Sequence, residues 1–291
     1  MGIIKSKIRA TLKYFGFFRT KSVWPKLSKK QEQFLVQNVR IKSSLETIND
    51  IKTTIENKER GAYMRFGDGD IYLMLGKDDL LQKSNKRMAV EMKEAMKIKI
   101  GKCHNAIPIN SKLFGFDEGM KENMHLLPDI EAIKYLAITN KFFDIGNIYT
   151  PVALHYLATF NKEVCIDFLN FLKSTKPIFV GNQNIKLELI KTLFGGIHIK
   201  TPSNNSYQEI DRIEKELIEA LIKNKDKFQV VVVAMGCSGR IVQKRILKKG
   251  FNVYLFDFGS LLDAFNDDNT RLWIDLAGGT NSFKDILDSI N

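Results

Sequence analysis

From Lys176 to Asp257 the chain switches between two hydrophobic periods. KPIFVG is a short apolar run, and IKLELIKTLF places apolar residues three and four apart. GIHIK is again a short run, followed by a Pro-Ser-Asn-Asn loop and the helical period of YQEIDRIEKELIEALIKN. FQVVVVAMG, GRIVQKRILKKG and NVYLFDFG complete the series as strand, helix and strand. Short apolar runs of this kind read as buried strands, and three-to-four spacing reads as amphipathic helix. Earlier, Ser28 to Lys58 keeps the helical period through Phe34, Leu35, Val39, Ile41, Leu45, Ile48, Ile51 and Ile55. AYMRF predicts a strand, and a helix is expected to begin at Ile71 with Asp70 as its cap. A further helix over 86–100 and a strand over 105–109 follow. Strands alternating with helices imply an α/β fold: a Rossmann-like, mostly parallel sheet with helices on both faces. No linker, repeat or low-complexity tract divides the body, so residues 31–291 read as one domain.

In sheets of this class, ligands bind beyond the C-terminal ends of the strands. Five loops meet that condition: Gly67 to Asp70, Gly181 to Asn184, Pro202 to Ser206, Gly236 to Arg240, and Asp257 to Asp263. All are built from Gly, Asn, Ser, Asp or Pro. Such residues also make ordinary turns; five on one side of one sheet point to a site.

Composition changes this picture in one place. The 291 residues carry a net charge of +12, and nine lysines and arginines with no acidic residue fall within residues 1–30. The body is therefore near +3, which gives no reason to expect a nucleic-acid partner. Within the leader Ile4, Ile8, Leu12 and Phe15 recur at helical spacing between Lys5, Arg9 and Lys13. That pattern predicts a basic amphipathic helix on an anionic membrane surface, with a helix docked on the body as the plainer reading. Three cysteines (Cys103, Cys165 and Cys237) are far apart and form no C-x-x-C pair, which excludes a disulfide framework and indicates a reducing, cytoplasmic setting.

The acidic stretch RFGDGD holds the sharpest chemistry. Asp68 and Asp70 flank Gly69, and a bend there lets two carboxylates converge on a hard divalent cation carrying a diphosphate. The plainer reading is an Asp-Gly turn. Arg65 stands ready for a phosphate or for Asp68. In VVVVAMGCSGR a buried strand runs into a helix start at Gly236, Ser238 and Gly239, where backbone N–H groups and Arg240 make an anion site. Asp257 stands where a dinucleotide fold puts its ribose-binding acid, although G-x-G-x-x-G is incomplete.

The order of these motifs resembles the GT-D class of bacterial glycosyltransferases. Arg65 to Gly76, Val180 to Asn182, Ile199 to Tyr207, Ala234 to Gly239 and Asp257 to Asp263 carry the resemblance, over about residues 45–275. It implies a Rossmann-like fold and transfer of a sugar from a nucleotide-sugar, often a UDP-hexose, to a glycan acceptor in surface polysaccharide or glycoprotein synthesis. It assigns Asp68 and Asp70 to a D-x-E-type motif holding a diphosphate-bound Mn²⁺ or Mg²⁺. The resemblance leaves two departures: Asp70 replaces the usual glutamate, and Ser260 stands where many relatives carry histidine. The donor would lie among Arg65, Gly67, Asp68, Gly69, Gly181, Asn182, Pro202, Ser203, Asn205, Gly236, Ser238, Gly239 and Arg240. Helix N-termini are expected at Ser203 and Gly239, and Asp70, Asp263 and Asp257 are the candidate catalytic groups. An inverting transfer needs a base, for which Asp263 and Asp257 compete. Two other classes stay open: an NAD- or S-adenosylmethionine-dependent Rossmann enzyme, and a non-catalytic basic membrane-binding protein.

Overall fold

The computed structural model describes residues 27–116, 118, 126–140, 142, 148–223 and 227–290. Residues 1–26 of the basic leader (1–30), with its expected amphipathic helix, lie outside them. Two serines open the described chain. Ser28 caps α1 (Lys29–Asn38) and Ser43 caps α2 (Ser44–Glu56). Gln31 and Glu46 return the bond to the cap N–H in each case. The single long helical period over 28–58 is thus two helices, because Val39 to Ser43 turns extended and each serine starts a new one.

Strand β1 (Gly61–Arg65) is followed by α3 (Asp68–Met74) and α4 (Lys86–Met96). Strand β2 (Lys102–Ala106) comes next, three residues earlier than its apolar signal suggested. Gly61 has a packing reason: a side chain there would run into the Lys102 backbone of β2. The middle of the chain adds α5 (Asp129–Thr139), α6 (Ala153–Phe160) and α7 (Lys162–Ser174). After them the alternation expected from the sequence appears. It runs β3 (Ile178–Asn182), α8 (Leu187–Phe194), β4 (His198–Thr201), α9 (Ile210–Ile222), β5 (Gln229–Ala234), α10 (Ser238–Lys248) and β6 (Val253–Asp257). Three short helices close the chain: α11 (Leu261–Phe265), α12 (Leu272–Leu276) and α13 (Lys284–Asp288).

The six strands form one sheet in the order β2-β1-β6-β5-β3-β4, and every neighbouring pair is parallel. Period-two alternation splits its side chains between two cores. Ala62, Met64, Val231, Val233 and Leu255 pack on one face with α1, α4, α9 and α10. Tyr63, Val230, Val232, Tyr254 and Phe256 pack on the other with α2, α6, α7 and α8. Helices on both faces are the only cover that leaves such strands fully buried. The topology also fixes the site. From β1 the chain moves out to β2 on one side, yet β6 pairs with β1 on the other. The crevice therefore opens beyond the ends of β1 and β6.

Candidate active site

All five loops named from the sequence meet at that crevice, around a cleft of about 410 Å³. Its floor starts at Arg65, the last residue of β1. Gly67 stays extended, and its N–H donates to Asp70 Oδ2 at 2.7 Å. The helix therefore begins at Asp68, not at Ile71, and Asp70 folds its carboxylate back onto the turn from the third helical position. Gly69 leaves room for two side chains. A Cβ there would sit 2.8 Å from Asp79 Cγ and 3.1 Å from Cys237 Sγ. The two carboxylates consequently part: Asp68 is exposed at the mouth, while Asp70 is 2% exposed.

Asp70 meets a guanidinium. Arg240, in the first turn of α10, is 8% exposed and donates to the Arg65 carbonyl at 2.5 Å and the Gly236 carbonyl at 2.6 Å. Its Nε stands 3.5 Å from Asp70 Oδ1 and its Nη1 stands 3.1 Å from Asp257 Oδ2. Arg65 supplies the second cation. It donates to the Pro151 carbonyl at 2.8 Å and lies 3.4 Å from Asp257 Oδ1. Two arginines and two aspartates thus share one poorly solvated floor. Burial pushes the Asp70 pKa up to about 6, against the opposing pull of Arg240 and the Gly67 N–H. The Cys237 thiol is pushed well above its ordinary value, first by burial and then by Asp70, which disfavours the thiolate.

The walls come from the other strand ends. Asn182 Oδ1 accepts from Ser203 Oγ and from the Asn184 N–H, both at 3.0 Å, which ties the β3 loop to the β4 loop. No helix starts at Ser203; a single 3₁₀ turn, Ser206–Glu209, precedes α9. Asp263 lines the opposite wall and accepts from Thr270 Oγ1 at 2.7 Å. Its pKa is raised, chiefly by burial and against that hydrogen bond.

Of the residues expected around the donor, Arg65, Gly67, Asp68, Gly69, Asn182, Pro202, Ser203, Gly236 and Arg240 line the cleft. Four do not. Ser238 and Gly239 lie buried behind it, where Gly239 packs on Val233 and Ser238 Oγ donates to Gln82 Oε1 at 3.1 Å. Gly181 is inside β3. Asn205 pins the loop over 77–85, accepting from the Lys83 N–H at 2.9 Å. Sequence reasoning missed Asp79 and Gln82 in that loop, and Arg271, all on the cleft. It also passed over His155, whose contacts are about 90 residues and more away in sequence. No local spacing marks any of them.

The donor set can be tested against a divalent cation. Among the described residues no three His, Cys, Asp or Glu side chains converge as a metal cage. Mg²⁺ and Mn²⁺ held against phosphates need only one or two carboxylates. Asp70 Oδ1 is buried and accepts no hydrogen bond, although Arg240 Nε stands 3.5 Å away, and Asp68 lines the mouth of the same cleft. These are hard oxygens of the required kind, so the residues fit.

Comparison with known proteins agrees with this architecture. The family model described as the glycosyltransferase GT-D fold matches residues 63–266. A selenomethionine-substituted structure of domain of unknown function 1792 superposes with a TM-score of 0.63 at 19% identity, covering 87% of each chain. A second structure, described as that conserved domain with a distinct glycosyltransferase fold, gives 0.61 at 18% identity and the same coverage. A third, a new glycosyltransferase of this type from Streptococcus sanguinis, gives 0.56 at 15% identity, over 83% of this chain and 86% of that one. At such identities the structures establish shared fold. No curated protein matches the chain.

Proposed function

Since the chain belongs to the glycosyltransferase GT-D fold family, we propose that it moves a sugar from a nucleotide-sugar, a UDP-hexose, to a glycan acceptor with Mg²⁺ or Mn²⁺ as cofactor. The observation that carries this reading is the convergence of five strand-end loops on one cleft whose floor holds two arginines and an inward-facing carboxylate. A cleft of about 410 Å³ falls in the range that suits a small ligand.

Breaking the anomeric C–O bond leaves negative charge on the departing diphosphate. Asp68 and Asp70 are the residues that would hold the cation, which would supply a Lewis acid there. Arg65 adds fixed positive charge on the same floor. It is already oriented by Pro151 and Asp257, so little reorganisation accompanies charge development. Arg240 is tied four ways and serves to keep Asp70 and Asp257 in place. Asn182 and Ser203 offer hydroxyl and amide groups to the sugar or nucleoside.

Of the two candidate bases, Asp263 is better supported than Asp257. It lies on the cleft wall outside the arginine network, and its raised pKa moves it toward the working pH of a base. Asp257 is held between two arginines with its side chain 5% exposed. The same enclosure removes the main support for a dinucleotide reading, which needs Asp257 free for a ribose.

Purified protein incubated with UDP-sugars and Mn²⁺ is expected to release UDP, and Asp70→Ala to abolish release. Equal turnover in that variant rules out the metal role. The leader fits a peripheral site on the inner membrane face, near a lipid-linked acceptor. Deleting residues 1–26 is then expected to abolish cosedimentation with anionic vesicles and to leave UDP binding intact. Among the described residues no helix is long and apolar enough to cross a membrane.

A further inference from the structure

Behind Arg65 lies a hydrogen-bond chain whose direction can be worked out. Arg65 Nη1 lies 3.4 Å from His155 Nδ1, His155 Nε2 lies 3.1 Å from Ser260 Oγ, and Trp273 Nε1 lies 3.2 Å from the same oxygen. A guanidinium has donors and no acceptor. His155 Nδ1 must therefore accept, and the imidazole carries its proton on Nε2, which donates to Ser260. The indole N–H also only donates. Both lone pairs of Ser260 Oγ are thereby occupied. Its own proton must leave the cluster, and Ser260 lines the cleft.

The arrangement excludes one tempting reading. A serine beside a histidine suggests a nucleophile and its base, but that pairing needs Nε2 bare and Nδ1 protonated. Arg65 enforces the opposite tautomer. We propose instead that Ser260 donates its hydroxyl proton to a phosphate oxygen of the bound nucleotide, with His155 and Trp273 as positioning residues. A phosphate oxygen is favoured because the groups that converge beside Gly259, the Arg65 guanidinium and the Ser260 hydroxyl, are both donors toward the cleft. Gly259 has no side chain where Arg65 Nη2 approaches, so the guanidinium and the Ser260 hydroxyl face the cleft one residue apart. An acceptor-only oxygen satisfies both. The inference rests on the nucleotide-sugar reading of the cleft and deepens it.

Two measurements on the full-length protein test it. In calorimetric titrations with UDP and Mn²⁺, Ser260→Ala is expected to weaken UDP binding about tenfold, the worth of one hydrogen bond to a charged acceptor. His155→Ala is expected to follow it in the same direction, and His155→Gln, whose amide N–H reaches the Nε2 position, to restore most of the loss. Unchanged UDP affinity in Ser260→Ala overturns the proposal, since UDP has no hexose and a contact to that sugar would leave its affinity intact. Long-range ¹H–¹⁵N spectra report the His155 tautomer directly, assigned by the signal lost in His155→Gln. A proton on Nε2 is expected, and a proton on Nδ1 overturns the donor geometry whether or not UDP binds. Failure of the wild type to bind any nucleoside diphosphate, with the Nε2 tautomer present, strikes the nucleotide reading and with it the ligand assigned to Ser260.

Discussion

Arg240 Nη1 sits 3.1 Å from Asp257 Oδ2 in a part of the molecule where both side chains are at most one-tenth exposed. The pair joins the ends of β5 and β6 through charge, and Asp70 extends it to the end of β1. Removing one partner of a buried ion pair costs more than the pair contributes, because the other charge is left without compensation. Arg240→Met is accordingly expected to destabilise the protein by about 3–5 kcal/mol, read from urea unfolding. Adding Asp257→Asn to that variant should return part of the loss. A single variant as stable as the wild type would mean that the two carboxylates are not held by this arginine.

Gly259 makes a separate prediction about Arg65. Its φ of +73° belongs to the left-handed region, and a Cβ there would occupy the place of the Arg65 guanidinium. Gly259→Ala thus strains the backbone and displaces a cation of the cleft floor. A loss of about 1–3 kcal/mol is expected from the backbone alone. Sugar transfer should fall further than stability does, since Arg65 moves. Thermal unfolding and UDP release, measured on one preparation, separate the two effects; wild-type values for both would place Arg65 elsewhere.

The parallel sheet, its two helical covers and the five loops could be read from the sequence because each depends on a local period or a turn residue. Val230 to Val233 announces a strand buried on both faces, and Gly236 announces the bend after it. The course of the charges could not be read. Asp68 and Asp70 look equivalent in RFGDGD, yet one turn of α3 sends the first to solvent and the second onto Arg240. That difference depends on a guanidinium 170 residues later in the chain. The same holds for Gln82 and Asp79, which reach the cleft through tertiary contacts, and for His155, which lies behind it against Arg65 and Ser260. Ser203 failed for a local reason: the 3₁₀ turn at Ser206 takes up residues that the helical period assigned to α9.

Asp263 carries the general-base proposal, and its environment separates catalysis from folding. Thr270 Oγ1 donates to it at 2.7 Å, and burial raises its pKa. Asp263→Asn keeps the shape and an acceptor for Thr270 while removing the basic oxygen. Sugar transfer is expected to fall by about 10²–10⁴ in kcat, with UDP affinity unchanged and stability equal or slightly higher. Loss of UDP binding together with kcat would assign Asp263 to donor recognition in place of proton transfer.

Asp70 should set stability and activity against each other as pH changes. Its pKa stands raised from 3.8 to about 6 by burial, so the folded protein prefers the neutral acid. A raised pKa contributes stability that is fully present below the unfolded value, near pH 4, and lost as pH climbs through about 6. Two units correspond to at most about 3 kcal/mol. Asp70→Asn keeps an acceptor for the Gly67 N–H and never ionises. The variant is therefore expected to melt higher than the wild type at pH 7.5, with the gap closing as pH drops below 4. Activity runs the other way, because only the carboxylate holds a cation: wild-type turnover should rise through pH 6, and the variant should stay inactive throughout. A melting-temperature difference that does not change between pH 4 and pH 7.5 would show that Asp70 is not the group whose ionisation the fold resists, and the acidic limb of the rate profile would then belong to another residue.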